Sequence, residues 1–163
     1  MRILVDTPLL LNDFFYRYPD MGVLRTGQAP PPALTTKWQA CHEALLKLSL
    51  ERERELFVMD YTLLRLVTIL SDLKIPAAVV LEELTYWNSQ FQAIPLSAHK
   101  AEHLLEQAKP QMSDPDLMAE EILLAATALT LQMDYILSPV PHAHPTIMGA
   151  VFMAPEGVLG LEG

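Results

Sequence analysis

Carboxylates stand at the ends of short apolar runs in this sequence. Asp6 follows RILV and Asp60 follows LFVM, while Asp116 and Glu120 lie four residues apart further along the chain. A carboxylate in such a place can cap the helix that follows it, and several carboxylates together can hold a hard divalent cation. Capping is the simpler explanation for Asp60 and Asp116. The acids are therefore the first residues to consider for chemistry.

Histidines and a cysteine are the other candidate ligands. His99 and His103 have the i, i+4 spacing of a helical ligand pair, and His142 and His144 lie in a proline-rich loop. Neither pair is accompanied by a convincing set of acids or cysteines, so we expect solvated histidines. Cys41 is the single cysteine, which excludes an intrachain disulfide and a cysteine-based zinc site. We expect it to be a small buried apolar residue.

The elements that must position these residues alternate between strand and helix. Short β-rich runs predict strands at 2–5, 56–59, 93–96, 134–137 and 150–153. Apolar periodicity and proline positions predict helices at 9–18, 35–50, 61–70, 77–87, 97–108 and 113–131. This alternation predicts a three-layer α/β/α fold with a mainly parallel sheet. Ligands in such sheets bind beyond the carboxyl ends of the strands, where Asp6, Asp60 and Ser138 are expected to lie.

Capping signals set two of the predicted helix starts. Ser97 can cap the helix at 97–108. Ser113 with Asp116 resembles a capping box, and Pro115 fits the first turn of the helix at 113–131. Between the first two helices, Gly22, Gly27 and three consecutive prolines predict a loop over 20–32.

Composition limits the classes of protein to consider. The 163 residues have the size of one domain, and 51% hydrophobic content is enough for a packed core. No apolar stretch reaches the roughly 18 to 20 residues of a membrane span, and the run 3–5 stops at Asp6, so we expect neither a membrane segment nor a signal peptide. A cytoplasmic location is the default expectation. The net charge of −9 opposes attraction to phosphate backbones, and Arg52 and Arg54 alternate with glutamates.

Four segments resemble the PIN-like domain, a family of metal-dependent nucleases found among ribonuclease toxins and RNA-processing factors. They are RILVDTPLLL, MDYTLLRLVTIL, EEILLAATALTLQMDYILS and GAVFMAPEGVL, of which the third is the most specific. The resemblance covers nearly the whole chain. It implies a single PIN-like domain over 1–163.

The resemblance also implies a site in which four acids surround magnesium or manganese. Such a cation clamps a phosphodiester and generates hydroxide from water for in-line attack. Asp6 takes the first position, in VDTP where the family commonly has VDTN, and Glu121 takes the third, where Asp is common. The second position falls on Arg65 and the fourth falls near Val140, so neither supplies a carboxylate. The implied catalytic and metal-binding residues are Asp6 and Glu121.

Replacement acids and the arginine leave alternatives open. Asp60, Asp116 or Glu120 can be recruited in place of the missing acids. Arg65 can pair with Asp6 or Glu121, or its side chain can extend to solvent. A cation at this position repels a metal ion from the pocket.

The resemblance and the incomplete set of acids favour a divergent member with lost or reduced nuclease activity. Such a module acts by binding RNA or a protein partner, such as a cognate antitoxin. The enzyme alternative is a magnesium- or manganese-dependent ribonuclease that uses Asp6 and Glu121 with recruited acids. A structural or regulatory interaction module is the third possibility. The hydrophobic content and eight methionines also predict a homodimer, because so short a chain cannot easily bury them all.

Overall fold

The structure is a computed structural model that describes residues 1–21, 27–95, 106, 109–110, 113–140 and 146–160. Its strands are β1 (Arg2–Val5), β2 (Glu55–Met59), β3 (Gln92–Ile94), β4 (Tyr135–Leu137), β5 (Thr146–Ile147) and β6 (Ala150–Met153). Its helices are α1 (Thr7–Arg17), α2 (Pro32–Leu50), α3 (Asp60–Asp72), α4 (Ala77–Gln90), α5 (Ala119–Thr130) and α6 (Pro155–Leu159). The predicted helix at 97–108 falls almost entirely outside these residues.

The strands form one six-stranded sheet in the order β3-β2-β1-β4-β6-β5. Neighbouring strands are parallel except for β5, which runs antiparallel to β6. Backbone hydrogen bonds continue past the carboxyl ends of the strands, from Asp6 N to Leu137 O at 3.1 Å and from Ser138 N to Met153 O at 3.0 Å. The predicted α/β class with a mainly parallel sheet is confirmed.

Alternate residues of the central strands enter two separate cores, because successive side chains of a strand point to opposite faces. In β1, Ile3 and Val5 pack in one core and Leu4 packs in the other. The first core contains side chains from α1, α2, α3 and α4, and the second contains side chains from α5. Both faces of the sheet are therefore covered, which is consistent with a three-layer α/β/α fold.

Helices α1 and α3 follow their strands directly, so their first turns lie at the carboxyl edge of the sheet. Pro8 occupies the first turn of α1, where a backbone N–H would have no hydrogen-bond acceptor within the helix, so the lack of an N–H in proline costs nothing. In α3, Leu63, Leu66 and Leu70 are buried at helical spacing. Pro76 then separates α3 from α4, as the sequence predicts.

The predicted start of α5 at Ser113 is wrong. The helix begins at Ala119, and the preceding residues form a turn in which the Asp116 N–H donates to Asp114 Oδ1 at 2.9 Å. Asp114 therefore satisfies a backbone donor outside the helix, as Asp side chains commonly do in turns. The reach-back bond of a capping box instead joins Glu121 Oε2 to the Met118 N–H at 2.8 Å.

The carboxyl-terminal part contains two elements that the sequence analysis missed. Strand β5 pairs with β6 through a tight turn in which Met148 and Gly149 have positive φ values of 54° and 92°. Two adjacent residues with positive φ are typical of a two-residue hairpin loop, and Gly149 was the sequence feature that could have predicted this turn. The short helix α6 begins at Pro155, a residue suited to a first turn. Across the part of the chain that the structure describes, no helix is both long and apolar enough to cross a membrane.

Candidate functional site

A pocket of about 120 Å³ lies at the carboxyl edge of the sheet. It is lined by Asp6, Pro8, Arg65, Met118, Glu120, Glu121, Leu124 and Val140. The structure therefore brings Asp6, Arg65 and Glu121 to one place, although they come from three different segments of the chain. Val140 lies there too, at the position where the resemblance implies a fourth acid.

Asp6 joins β1 to α1 and is only 4% exposed. Its Oδ2 accepts a hydrogen bond from the Ser138 hydroxyl at 2.6 Å. The side chain makes no capping hydrogen bond to the first turn of α1. Helix capping therefore does not explain why an acid stands at this position.

Ser138 follows β4 and orients Asp6. Its hydroxyl oxygen accepts a hydrogen bond from the Val140 N–H at 3.3 Å while the hydroxyl proton points to Asp6. The serine is buried. Ser138 is expected at this edge from the sequence, but without a role, because nothing local in the sequence indicates that Asp6 is its partner.

Arg65 forms an ion pair with Glu120, through Nη1 and Oε2. The other carboxylate oxygen of Glu120 accepts a hydrogen bond from the Thr7 hydroxyl at 3.4 Å. The Arg65 side chain is 37% exposed, so part of it faces solvent. The alternatives left open for Arg65 were an ion pair with Asp6 or Glu121 and extension to solvent, and the structure shows an ion pair with Glu120 instead.

Glu121 lines the pocket and also stabilises the start of α5. Its Oε2 accepts the backbone N–H of Met118, a residue whose own side chain carries no oxygen to cap the helix. Adjacent helical residues point about 100° apart, so Glu120 and Glu121 reach different partners. The resemblance alone assigned the third acid of the family site to Glu121. It gave no reason to expect an ion pair between Glu120 and Arg65.

The other predicted acids lie outside the pocket lining. Asp60 is exposed at the first residue of α3, and Asp116 is exposed in the turn before α5. His99, His103, His142 and His144 fall outside the described residues.

The arrangement does not fit a magnesium or manganese ion. Within the described ranges, no group of three or more His, Cys, Asp or Glu side chains could hold a metal ion. Three carboxylates line the pocket, but Glu120 is paired with Arg65 and Asp6 accepts the Ser138 hydroxyl. A hard dication is held mainly by anionic oxygens, and the Arg65 guanidinium competes with it for the Glu120 carboxylate.

Comparisons with family models, curated proteins and solved structures found no match to this chain.

Proposed function

We propose that this chain is a divergent PIN-like domain that has lost or reduced the metal-dependent nuclease activity of that family and acts by binding a partner. The observation that carries the proposal is the ion pair between Arg65 and Glu120, in the pocket that Asp6 also lines. The four resembling segments and the mainly parallel sheet support the family assignment.

The ion pair opposes metal binding in two ways. A dication that takes Glu120 as a ligand must first separate it from Arg65, which removes a charge-assisted hydrogen bond. It must then lie close to the guanidinium, and two cations in one pocket repel each other. Both effects lower the affinity for magnesium at the place where the family keeps its metal.

Charge favours a protein partner over RNA. The chain has a net charge of −9, and the pocket is lined by three carboxylates and one guanidinium. Phosphate backbones are attracted by positive surfaces, and this pocket does not provide one. The proposed module therefore recognises a protein. RNA is the alternative partner, and an RNA-binding measurement tests it.

The alternative function is a magnesium- or manganese-dependent ribonuclease. One observation favours it: Glu120 places a third carboxylate beside Asp6 and Glu121. Because Arg65 is partly exposed, rotation of its side chain toward solvent leaves three acids around the pocket. The recruited acid in this alternative is Glu120, since neither Asp60 nor Asp116 lines the pocket.

A cleavage assay on labelled single-stranded RNA tests the proposal. Wild type, Asp6→Asn and the matched exposed variant Asp60→Asn are compared with Mg²⁺ and with Mn²⁺. We expect the three proteins to cleave equally little. Cleavage that Asp6→Asn abolishes and Asp60→Asn preserves would show an active nuclease that uses the pocket and would overturn the proposal. Cleavage abolished by both variants would also overturn it and would assign Asp60 as a recruited acid.

Fluorescence anisotropy with the same RNA tests the kind of partner. We expect weak binding that disappears at physiological salt, because the protein offers little positive charge. Tight binding that persists in 150 mM salt would assign RNA, and not a protein, as the partner.

A further inference from the structure

A second pocket lies on the helical layer between α2 and α4, at the opposite edge of the sheet from Asp6. It has a volume of about 40 Å³. Leu56 near the start of β2 and Phe91 just before β3 place it at the amino ends of the strands. Its lining also includes Asp13, His42, Leu46, Ser49, Tyr86 and Gln90.

Asp13 and His42 of the lining belong to a network of charged side chains. Asp13 is 1% exposed, and its two oxygens contact His42 Nδ1 at 2.8 Å and Arg17 Nε at 3.0 Å. Arg17 also binds Glu83 through both of its terminal nitrogens, with 2.7 Å between Nη1 and Oε1. Two carboxylates therefore share one guanidinium, and one of them, Asp13, belongs to the pocket lining.

Two polar side chains of the lining keep acceptor oxygens. The Ser49 hydroxyl donates to Leu46 O at 2.9 Å, which leaves the lone pairs of its oxygen. The Gln90 amide nitrogen donates to Ser89 Oγ at 3.2 Å, which leaves its carbonyl oxygen. A ligand that suits this lining is positively charged and rich in donors.

The rim is apolar and aromatic. Leu46 is 50% exposed, and Tyr86 is also exposed at the pocket mouth. These side chains can pack against the hydrocarbon stem of a ligand whose polar head group lies inside the pocket. A space of about 40 Å³ admits a head group of only a few atoms. We propose that this pocket receives the ammonium group of a lysine side chain from a partner protein. An ammonium is a compact charge with three donors and no acceptor.

The surroundings indicate a lysine within a protein and not a free amine. Leu50 lies one turn beyond Leu46 on α2 and is highly exposed, and Tyr16 stacks on His42 with its ring partly exposed. A partner chain that presents a lysine covers these neighbours at the same time, and aromatic residues near a charged pocket are typical of interface centres.

Titration of the full chain, labelled with ¹⁵N, with N-acetyl-lysine methylamide tests the proposal. We expect saturable shifts of the amides of His42, Ser49 and Gln90, with a Kd in the millimolar range. The norleucine counterpart has the same stem without the ammonium and should produce no saturable shift. A Leu-Lys-Leu peptide amide should bind more tightly than the single-residue probe, because its leucines cover Leu46 and Leu50. Equal shifts with lysine and norleucine, or equal affinities for peptide and single residue, would overturn the assignment.

Two charge-introducing variants on one helix provide the matched comparison. Leu46→Arg places a guanidinium at the mouth and should weaken binding of the single-residue lysine probe about tenfold, whereas Gln39→Arg adds the same charge at an exposed position two turns away on α2 and should change it less than about twofold. Equal effects would contradict the proposal. Gln90→Leu removes an acceptor without adding charge and should weaken binding even if Leu46→Arg does not fold. If Leu46→Arg alone converts a dimer into a monomer, the occupant is a second copy of the chain, and the proposal fails.

Discussion

Arg65 and Glu120 form an ion pair at the carboxyl edge of the sheet, beside the buried Asp6. Each acid of the pocket already has a protein partner: the guanidinium for Glu120, the Ser138 hydroxyl for Asp6 and the Met118 N–H for Glu121. The side chains thus satisfy one another without a metal ion. A single substitution at Arg65 changes both the charge and the number of available ligands.

Arg65→Glu should raise the affinity for Mn²⁺ by at least about tenfold, because it removes a competing cation and adds an anionic oxygen ligand. Isothermal titration with MnCl₂ measures the affinity. The matched control is Arg52→Glu, which changes the net charge equally at an exposed position in the turn before β2. If both variants bind Mn²⁺ equally well, the effect comes from net charge and the role of Arg65 in the pocket is contradicted.

Cys41 should be unreactive in the folded protein. Burial raises the pKa of its thiol from 9.0 to about 12, so the reactive thiolate is scarce at pH 8. We expect a thiol reagent such as 5,5′-dithiobis(2-nitrobenzoate) to label the native chain slowly at pH 8 and the urea-unfolded chain at once. Fast labelling of the native chain would show that α2 opens locally or that the thiol is accessible.

A network of buried charges connects three helices of one layer. Arg17 on α1 binds Asp13 on its own helix and Glu83 on α4, while Asp13 also contacts His42 on α2. Burial acts to lower the pKa of Arg17, but its hydrogen bonds and charge attraction to Glu83 and Asp13 outweigh burial and raise it. The network fixes how α1 sits against α4, and α1 begins at the candidate site.

Glu83→Ala should destabilise the fold by about 3 kcal/mol or more, because it leaves a mostly buried guanidinium with one carboxylate instead of two. Urea unfolding followed by circular dichroism measures the change. The neighbouring Glu82→Ala removes the same side chain at an exposed position and should stay within about 0.5 kcal/mol of wild type. Similar losses for both variants would show that helix propensity, and not the ion pair, determines the stability of α4.

Exposed apolar side chains are spread over the described surface of the molecule. Those more than 60% exposed are Leu50, Leu64, Leu81 and Met118. Three of the four lie on α2, α3 and α4, three of the helices that cover one face of the sheet. Exposed apolar side chains on one layer of a small domain suit an interface between subunits.

We expect a homodimer at tens of micromolar, the concentration at which weak but specific interfaces are populated. Sedimentation velocity measures the state. Leu64→Lys and Leu81→Lys should shift the distribution toward monomer if the face of α3 and α4 forms the interface, whereas the same change at Met118 should not. Monomer alone in the wild type at this concentration would contradict the prediction.

Short-range patterns predicted most of the elements correctly. The apolar runs before Asp6 and Asp60 are strands β1 and β2, and the leucine spacing after Asp60 is the buried stripe of α3. These predictions succeed because strand and helix periodicities are properties of adjacent residues. The start of α5 was misplaced because Ser113 and Asp116 resemble a capping box. In the structure, Asp114 instead accepts the Asp116 N–H in a turn that precedes the helix.

By itself, the sequence determined the alternation of strands and helices, and with it the edge of the sheet at which Asp6 and Ser138 lie. Arg65 and Glu121 were expected beside Asp6 only through the family resemblance. The sequence did not determine which atoms pair there, because Ser138 and Asp6 are 132 residues apart and Glu120 differs from Glu121 only by its angle on α5. Helix rotation and strand packing fix those partners, and both depend on how the whole core closes. Only the tertiary structure therefore decided that Arg65 neutralises Glu120 and that Glu121 caps its own helix.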